Sequence, residues 1–316
     1  MEIPVIDWQQ RCASTDAKPV VENFSKLGFL VLKNHGISLE HVQQAFRVAR
    51  EFFRLPLSLK KSVLRGTLSD NNSGYVEYQK EYLNAASVDK KEALNITCQP
   101  WLLPDSLSFL SQLESFYMEA WQLGMQLLEQ IDGYFLSSGE KNTLTKHHTF
   151  QSLGVYNGTT KEEAVVFKNR TSASTLRLLF YPPVAETGAR EGDILAGIHS
   201  DYGTLTLLFQ DSCGGLQIEH AQDWINVPAQ EDVVVVNAGD LLEIWTGGLI
   251  PSTKHRVVVT PEMKESSIRG RYSIAFFIHP DDNAIVQPLY GDKTKYNSVL
   301  ASDYVTGRFQ VSYKES

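Results

Sequence analysis

Between Leu176 and Ile278 the chain passes through a series of apolar runs, each too short for a typical helix: Leu176 to Phe180, Leu205 to Phe209, Val233 to Asn237, Leu241 to Trp245, Arg256 to Val259 and Ile274 to Ile278. They are rich in residues that suit a pleated sheet and are punctuated by Gly214-Gly215, Gly239 and Gly247-Gly248, the pattern of short strands in a β-sandwich or barrel. Two stretches of helical period precede them. From Ser38, a candidate N-cap, Leu39, Val42, Phe46, Ala49 and Phe53 recur at three and four; from Leu107 to Phe135, Leu110, Leu113, Tyr117, Trp121, Met125, Leu128 and Ile131 mark the main supporting helix. Nearer the start, residues 3 to 8 read as a short strand followed by a polar loop from Gln9 to Asp16. Gly28 separates a helix end from the strand Phe29 to Leu32, which Asn34-His35-Gly36 closes as a turn. Nothing repeats and no low-complexity linker divides the chain. Helices early and strands late predict one α+β domain.

Within the strand-rich part, His199 and Asp201 in His199-Ser200-Asp201-Tyr202-Gly203-Thr204 stand two apart, so an extended backbone would set imidazole and carboxylate on one face. A second imidazole, His255, opens the run Arg256 to Val259, where a neighbouring strand could present it to the first pair. Two His and one carboxylate form the facial triad of non-haem Fe(II) oxygenases, with three positions open for chemistry. The pair alone is weak evidence. With 8 His in 316 residues, His-x-Asp is expected about 0.4 times by chance, and a hydrogen-bonded sheet histidine is the alternative for His199. The chain has another such pair, His279-Pro280-Asp281, but Pro and the acidic cluster after it mark a turn.

Arg271-Tyr272-Ser273, opening the run Ile274 to Ile278, strengthens the reading. Arg271 and Ser273 share a strand face and offer a guanidinium fork beside a hydroxyl, suited to a carboxylate. That carboxylate could belong to a ligand or to a protein acid. Tyr181 in Phe180-Tyr181-Pro182-Pro183 would add a phenol if its strand lies nearby.

At these residues the sequence resembles the isopenicillin N synthase-like branch of the 2-oxoglutarate/Fe(II)-dependent dioxygenases. The resemblance extends over most of the chain: Ile3-Pro4-Val5-Ile6-Asp7, Gly28 to Ile37, Phe52-Phe53-Arg54-Leu55-Pro56 and Gly74-Tyr75 look like the N-terminal signature, and Gly239-Asp240, His255-Arg256 and Arg271-Tyr272-Ser273 keep the family's order. It implies a double-stranded β-helix (jelly roll) core, with residues 1–105 as an N-terminal cap region and 106–316 as the catalytic region of one integrated unit. It implies Fe(II) on His199, Asp201 and His255, the distal carboxylate of 2-oxoglutarate on Arg271, Ser273 and Tyr181, and O2 as oxidant. Succinate and CO2 would accompany hydroxylation, desaturation or ring closure of a substrate. Many plant members carry Asn two residues before that Tyr; here it is Leu179, which argues against a plant-like cosubstrate pose. Two alternatives stand beside this one: an isopenicillin N synthase-like oxidase that does not use 2-oxoglutarate, and a non-catalytic jelly-roll binding protein.

Candidate substrate contacts are Arg177, on the strand face of Leu179, Phe277, four residues after Ser273, and Tyr75, Tyr78 and Tyr82 in the polar stretch from Ser58 to Asn84. Such a pocket suits a largely apolar or aromatic metabolite, with one carboxylate or carbonyl for Arg177, plausibly from secondary metabolism. The segment Asn157 to Ser174 is a candidate lid or insertion. A net charge of -8 without a basic stripe argues against nucleic acid. No run reaches the roughly 18 apolar residues of a membrane span. Cys12, Cys98 and Cys213, odd in number and widely spaced, suit a reducing compartment, and the start has no signal-peptide pattern, so a cytoplasmic protein is expected. Lys146-His147-His148 would point its rings apart, and His35 sits in a turn; neither is expected to bind metal.

Overall fold

The late apolar runs form strands, with one exception, and the alternation along them sorts side chains to two faces. The computed structural model describes residues 2–12, 14, 16–65, 72–83, 88–98, 101–103, 105–135, 143–157, 172–265 and 270–313. Its strands are β1 (Val5–Asp7), β2 (Phe29–Lys33), β3 (Gly74–Val76), β4 (Glu92–Ile96), β5 (Trp101–Leu103), β6 (Val155–Asn157), β7 (Thr175–Tyr181), β8 (Ile194–His199), β9 (Leu205–Gln210), β10 (Leu216–His220), β11 (Asp223–Asn226), β12 (Val233–Ala238), β13 (His255–Val258), β14 (Arg271–Ile278), β15 (Ile285–Val286) and β16 (Val299–Leu300). Eight form one sheet in the order β1-β2-β12-β9-β14-β7-β4-β3, antiparallel except between β1 and β2. Four form a second antiparallel sheet, β11-β10-β13-β8.

Along β14 the residues Tyr272, Ile274, Phe276 and Ile278 face one way and Arg271, Ser273, Ala275 and Phe277 the other, the period of two that a pleated strand imposes. The first set joins Leu176, Leu178, Leu205, Leu207 and Phe209 against the helix Glu114–Phe135. Phe116 meets Phe209, and Tyr117 meets Phe276, each at 4.9 Å between ring centroids. Burying each such side chain stabilises the fold by about 1.5–3 kcal/mol. The other face of the large sheet turns toward the small one. There Phe29, Val31, Leu179 and Val235 share a core with Leu195, Leu216, Ile218 and Val257. Two sheets face to face with helices on one side make the α+β jelly roll that the run pattern and the resemblance implied.

Gly28 shows why β2 begins where it does. It closes the helix Lys18–Leu27 at φ 62°, and a Cβ there would lie 1.9 Å from the carbonyl oxygen of Pro251, so neither the turn nor the close approach admits a side chain.

Four expectations are corrected. Leu241 to Trp245 is a helix, Asp240–Trp245, not a strand; Leu241, Leu242, Ile244 and Trp245 are all buried, and a run buried all round carries no alternation to tell the two apart. The supporting segment begins as a 3-10 helix, Asp105–Leu113, before the α-helix Glu114–Phe135; Leu107, Leu110 and Leu113, spaced by three, match the 3-10 period. Trp8–Cys12 is helical where the end of a strand (Trp8) and a loop (from Gln9) were expected, with Trp8 buried. The helix Leu39–Arg54 forms as read, but the Ser38 hydroxyl does not cap it. Residues 158–171 of the candidate lid lie outside the described residues.

Candidate active site

A cavity opens between the two sheets. One end of it is made by the register of β13 on β8, which places His255 directly opposite His199 with ring centroids 4.2 Å apart. Asp201 joins them from the turn after β8 and not from the strand itself, so the shared strand face expected for His199 and Asp201 is not the device that unites them. That turn is held from outside. Asp240 N–H donates to the Asp201 carbonyl (2.8 Å), Gly239 N–H to that of Thr204 (3.0 Å), and a Cβ on Gly239 would come within 2.2 Å of Gly203 O. Gly239 is therefore a steric requirement of the turn that carries Asp201.

The hydrogen bonds around the three side chains leave one free donor atom on each. His199 Nδ1 lies 2.7 Å from the Gly197 carbonyl and His255 Nδ1 3.2 Å from that of Thr253, which assigns the proton to Nδ1 and the lone pair to Nε2. Asp201 Oδ2 accepts from the Thr206 hydroxyl and from Asn237 Nδ2 (2.7 Å). Oδ1 is left facing the rings, 3.8 Å from His199 Nε2 and 3.6 Å from His255 Nε2. One potential ligand atom from each residue lies within 4.8 Å of the others. Burial, reinforced by neighbouring His255, lowers the His199 pKa to about 3, so its imidazole is neutral near pH 7. Burial works to raise the Asp201 pKa, but the two imidazoles and the Asn237 and Thr206 hydrogen bonds outweigh it and hold the carboxylate ionised. Two imidazoles and a carboxylate suit a divalent iron, with ligand positions to spare.

Farther along the same cavity, Arg271 stands across the β7/β14 register from Tyr181, its guanidinium 4.8 Å above the phenol ring. Its N–H groups go to neutral acceptors: the Gly214 carbonyl (2.7 Å), Ser273 Oγ (3.1 Å) and Gln210 Oε1 (2.9 Å). Among the described residues no carboxylate pairs with it. Ser273 accepts from Arg271, which leaves its own hydroxyl hydrogen to donate, so fork and hydroxyl can meet one ligand carboxylate together.

Arg177 and Phe277, expected as substrate contacts, line the cavity, but Arg177 is not open to a substrate acid. It is buried, and its two terminal nitrogens bind both oxygens of Glu81 at 2.9 and 2.5 Å. Glu81 also pairs with Lys91 (2.9 Å), and Lys91 with Asp89. Burial opposes charge on Glu81, yet Arg177 and Lys91 overcome it and lower its pKa. Tyr75 is a correction. It packs on the helix side of the sheet against Phe52, its hydroxyl donating to Glu92, and it does not line the cavity. Tyr78 and Tyr82 are not lining residues either. Beyond Phe29, Tyr181 and Phe277, the aromatic lining comes from Tyr202, Phe309 and Tyr313, the last two in and just beyond the C-terminal helix Ala301–Ser312, for which the sequence offered no clear pattern. Asn237, Thr206, Glu81 and Lys91 were also missed; only the polar residues inside otherwise apolar β9 and β12 gave a signal.

Among the described residues no other histidine joins the triad, although His279 lines the same cavity. Asp281 binds the N–H and hydroxyl of Thr149, so the second His-x-Asp is a loop anchor. His148 is buried between the Leu144 carbonyl and the Thr204 hydroxyl, His147 stacks on Trp245, and His35 Nδ1 receives the Ile37 N–H. No disulfide joins the three cysteines. No helix among the described residues is long and apolar enough to cross a membrane.

Residues 172–280, which hold the three converging side chains and Arg271, match the 2OG-Fe(II) oxygenase superfamily, and residues 3–115 match the family "non-haem dioxygenase in morphine synthesis N-terminal". The chain belongs to the 2OG-Fe(II) oxygenase superfamily. It is 31% identical to the UPF0676 protein C1494.01 of Schizosaccharomyces pombe, over 99% of this chain and 93% of that one. It is 29% identical to the 2-oxoglutarate-Fe(II) type oxidoreductase ppzD of Metarhizium rileyi, over 94% of this chain and 85% of the other. Among solved structures, a full-length Neurospora crassa protein in complex with alpha-KG superposes with a TM-score of 0.76 at 28% identity, covering 97% of this chain and 95% of that one. This 2-oxoglutarate-dependent dioxygenase uses Fe(II), 2-oxoglutarate and O2, which sets aside the oxidase without 2-oxoglutarate and the non-catalytic binding protein.

Proposed function

We propose that His199, Asp201 and His255 bind the iron, that Arg271, Ser273 and Tyr181 hold the distal carboxylate of 2-oxoglutarate, and that the substrate is an uncharged, metabolite-sized molecule. The observation that carries the reading is the convergence of Nε2, Nε2 and Oδ1 in a cavity whose Arg271 has only neutral partners. When bound, the iron supplies the oxidation of 2-oxoglutarate by O2 to succinate and CO2 coupled to oxidation of a substrate C–H bond. The chain's own part is to orient. Gly197 and Thr253 fix the two imidazoles, Asn237 and Thr206 fix Asp201, and Arg271 with Ser273 sets the far end of the cosubstrate.

The cavity wall supports a neutral substrate. Arg177 and Lys91 are matched by Glu81 and Asp89, so a substrate carboxylate would have to displace a protein carboxylate from Arg177. Leu179, Leu208, Ala275, Phe277, Phe309 and Tyr202 offer apolar and aromatic surface around that polar patch. The same N. crassa protein has been solved with alpha-KG and thymine, a neutral heterocycle of this size. Several relatives are fungal 2-oxoglutarate-dependent dioxygenases, among them frbA and htyE, which fits a role in secondary metabolism. The cysteines without disulfides fit a cytoplasmic setting, and the formal charge of -8 disfavours nucleic acid as substrate.

Succinate formation measured with Fe(II) and 2-oxoglutarate, first alone and then across neutral and anionic candidate metabolites, tests this. Stimulation by neutral compounds is expected. Stimulation confined to carboxylates would overturn the substrate reading, and 2-oxoglutarate turnover that persists in Asp201→Ala would overturn the assignment of the iron ligands.

A further inference from the structure

The buried charges beside the cavity do more than close it. β8, which ends in His199, is an edge strand of the small sheet, and an edge strand leaves backbone groups without a strand partner. Residues 89–91 occupy that edge. Lys90 N–H donates to the Leu195 carbonyl (2.8 Å), and Asp89 Oδ1 accepts from Gly197 N–H (2.9 Å). Gly197 is the residue whose carbonyl lies 2.7 Å from His199 Nδ1. Asp89 is itself held, by Lys91 on Oδ2 and through its N–H by the Glu81 carbonyl (2.9 Å). Lys91 also binds Glu81, and Glu81 grips Arg177 on β7 of the large sheet. Four alternating charges, with side-chain exposures of 10%, 3%, 2% and 1% from Arg177 through Glu81 and Lys91 to Asp89, thus run from one sheet to the other and end on the backbone that orients a candidate iron ligand.

We propose that Asp89, locked by Lys91, is a positioning residue for the iron site, holding the His199 imidazole in place through Gly197. This rests on His199 being an iron ligand. A buried ion network is poor evidence of stabilisation in itself, because well-packed apolar replacements are often as stable. Its attachment to Gly197 gives it a task that apolar residues could not perform, since only an acceptor can hold that N–H. The imidazole then presents Nε2 to the metal without having to be ordered by it.

The full chain carrying Asp89→Leu and Lys91→Met together removes one charge of each sign and leaves Arg177 paired with Glu81. Asp89→Asn keeps an acceptor for Gly197. Mn(II) affinity of the metal-free proteins is measured by titration, alongside nitrogen NMR shifts of the His199 ring and thermal unfolding. The double variant is expected to bind Mn(II) about 10–100-fold more weakly, with the His199 ring no longer held as its Nδ1–H tautomer, while Asp89→Asn stays within a few-fold of the parent. Parent-like Mn(II) affinity and tautomer in a folded double variant would overturn the proposal, as would an Asp89→Asn protein that loses as much affinity as the double variant. If the double variant does not fold, Asp89→Ala, which leaves Lys91 paired with Glu81, replaces it: weaker Mn(II) binding and a freed His199 ring beside a parent-like Asp89→Asn support positioning, and parent-like values in both sink it. His199→Ala in parallel separates the two readings, because Mn(II) binding unchanged there means that the ligand assignment has failed and not the role of Asp89.

Discussion

Two arginines on adjacent antiparallel strands, Arg271 on β14 and Arg177 on β7, face the same cavity with opposite electrostatic fates. Arg177 is closed: both oxygens of Glu81 are on its terminal nitrogens. Arg271 is open: its partners are a hydroxyl, an amide oxygen and a backbone carbonyl, none of which cancels its charge. A buried cation without a counter-charge is costly, so a fold retains one where a ligand supplies the anion. Burial and strand face do not distinguish the two residues; only the partners do. The same contrast separates the His199, Asp201 and His255 end, where three lone-pair atoms converge, from the wall of paired charges beside it.

If the contrast holds, substitutions at the closed wall should be felt first as stability and those at the open end first as function. The largest expected effect is at the wall. Glu81→Ala leaves Arg177 without its carboxylate and Lys91 with one fewer, and removing one partner of a buried network costs about 3–5 kcal/mol. Urea denaturation of the metal-free protein measures it. A loss under about 1 kcal/mol would mean that water or another acid reaches Arg177, and the wall would then not be closed.

At the open end, His255→Ala should lower succinate formation more than about 100-fold, since losing groups that merely support a metal ligand already costs about 10–100-fold. The fold should survive, because the Asp201 carboxylate that His255 faces keeps its hydrogen bonds from Thr206 and Asn237. Arg271→Lys comes next. It keeps the charge but not the fork, and with about 1.5–3 kcal/mol of charged hydrogen bonding at stake the apparent constant for 2-oxoglutarate should rise by on the order of 10-fold or more. Unfolding stability should be little changed. An unchanged cosubstrate constant with a large stability loss would place Arg271 in the same class as Arg177.

What was legible from sequence follows the same division. His199, Asp201, His255, Arg271, Ser273 and Tyr181 stand in short motifs at strand ends, where period-two alternation and residue chemistry suffice to group them. The pairing of His255 with His199 across two strands was anticipated, although Asp201 arrives from a turn. Arg177 was placed correctly in the cavity and given the wrong partner, because Glu81 lies 96 residues away in a segment with no periodic pattern. Tyr75 failed for a related reason: as the middle residue of three-residue β3, it offers no alternation from which a face can be read. The helix Ala301–Ser312 buries only Ala301, Val305 and Ser312, too sparse a stripe to mark it as a cavity wall. Long-range charge pairing and weakly amphipathic elements are decided by tertiary packing, which local pattern does not encode.

The smallest expected effect probes how much of the open end is prepared before metal arrives. Asp201 Oδ2 is held by two donors, the Thr206 hydroxyl from β9 and Asn237 Nδ2 from β12, cross-strand neighbours in the register of those strands. Thr206→Val removes one hydroxyl at nearly constant shape, so the β9 strand and the cavity wall should stay as they are. Asp201 retains Asn237, and its carboxylate loses one of two restraints. Groups that orient a ligand are typically worth about 10–100-fold in metal affinity, and with the second donor intact the lower end applies, about 10-fold for Fe(II) or Mn(II). Titration of the metal-free protein at fixed pH reads this directly. Asn237→Ala should do at least as much, and the double change more than either. If Thr206→Val binds metal like the parent while Asn237→Ala does not, Asn237 alone aims Oδ1 and the hydroxyl is incidental. If neither change matters, the carboxylate is aimed by the Gly203–Gly239 packing of its turn, and the open end is prepared by backbone shape more than by side-chain hydrogen bonds.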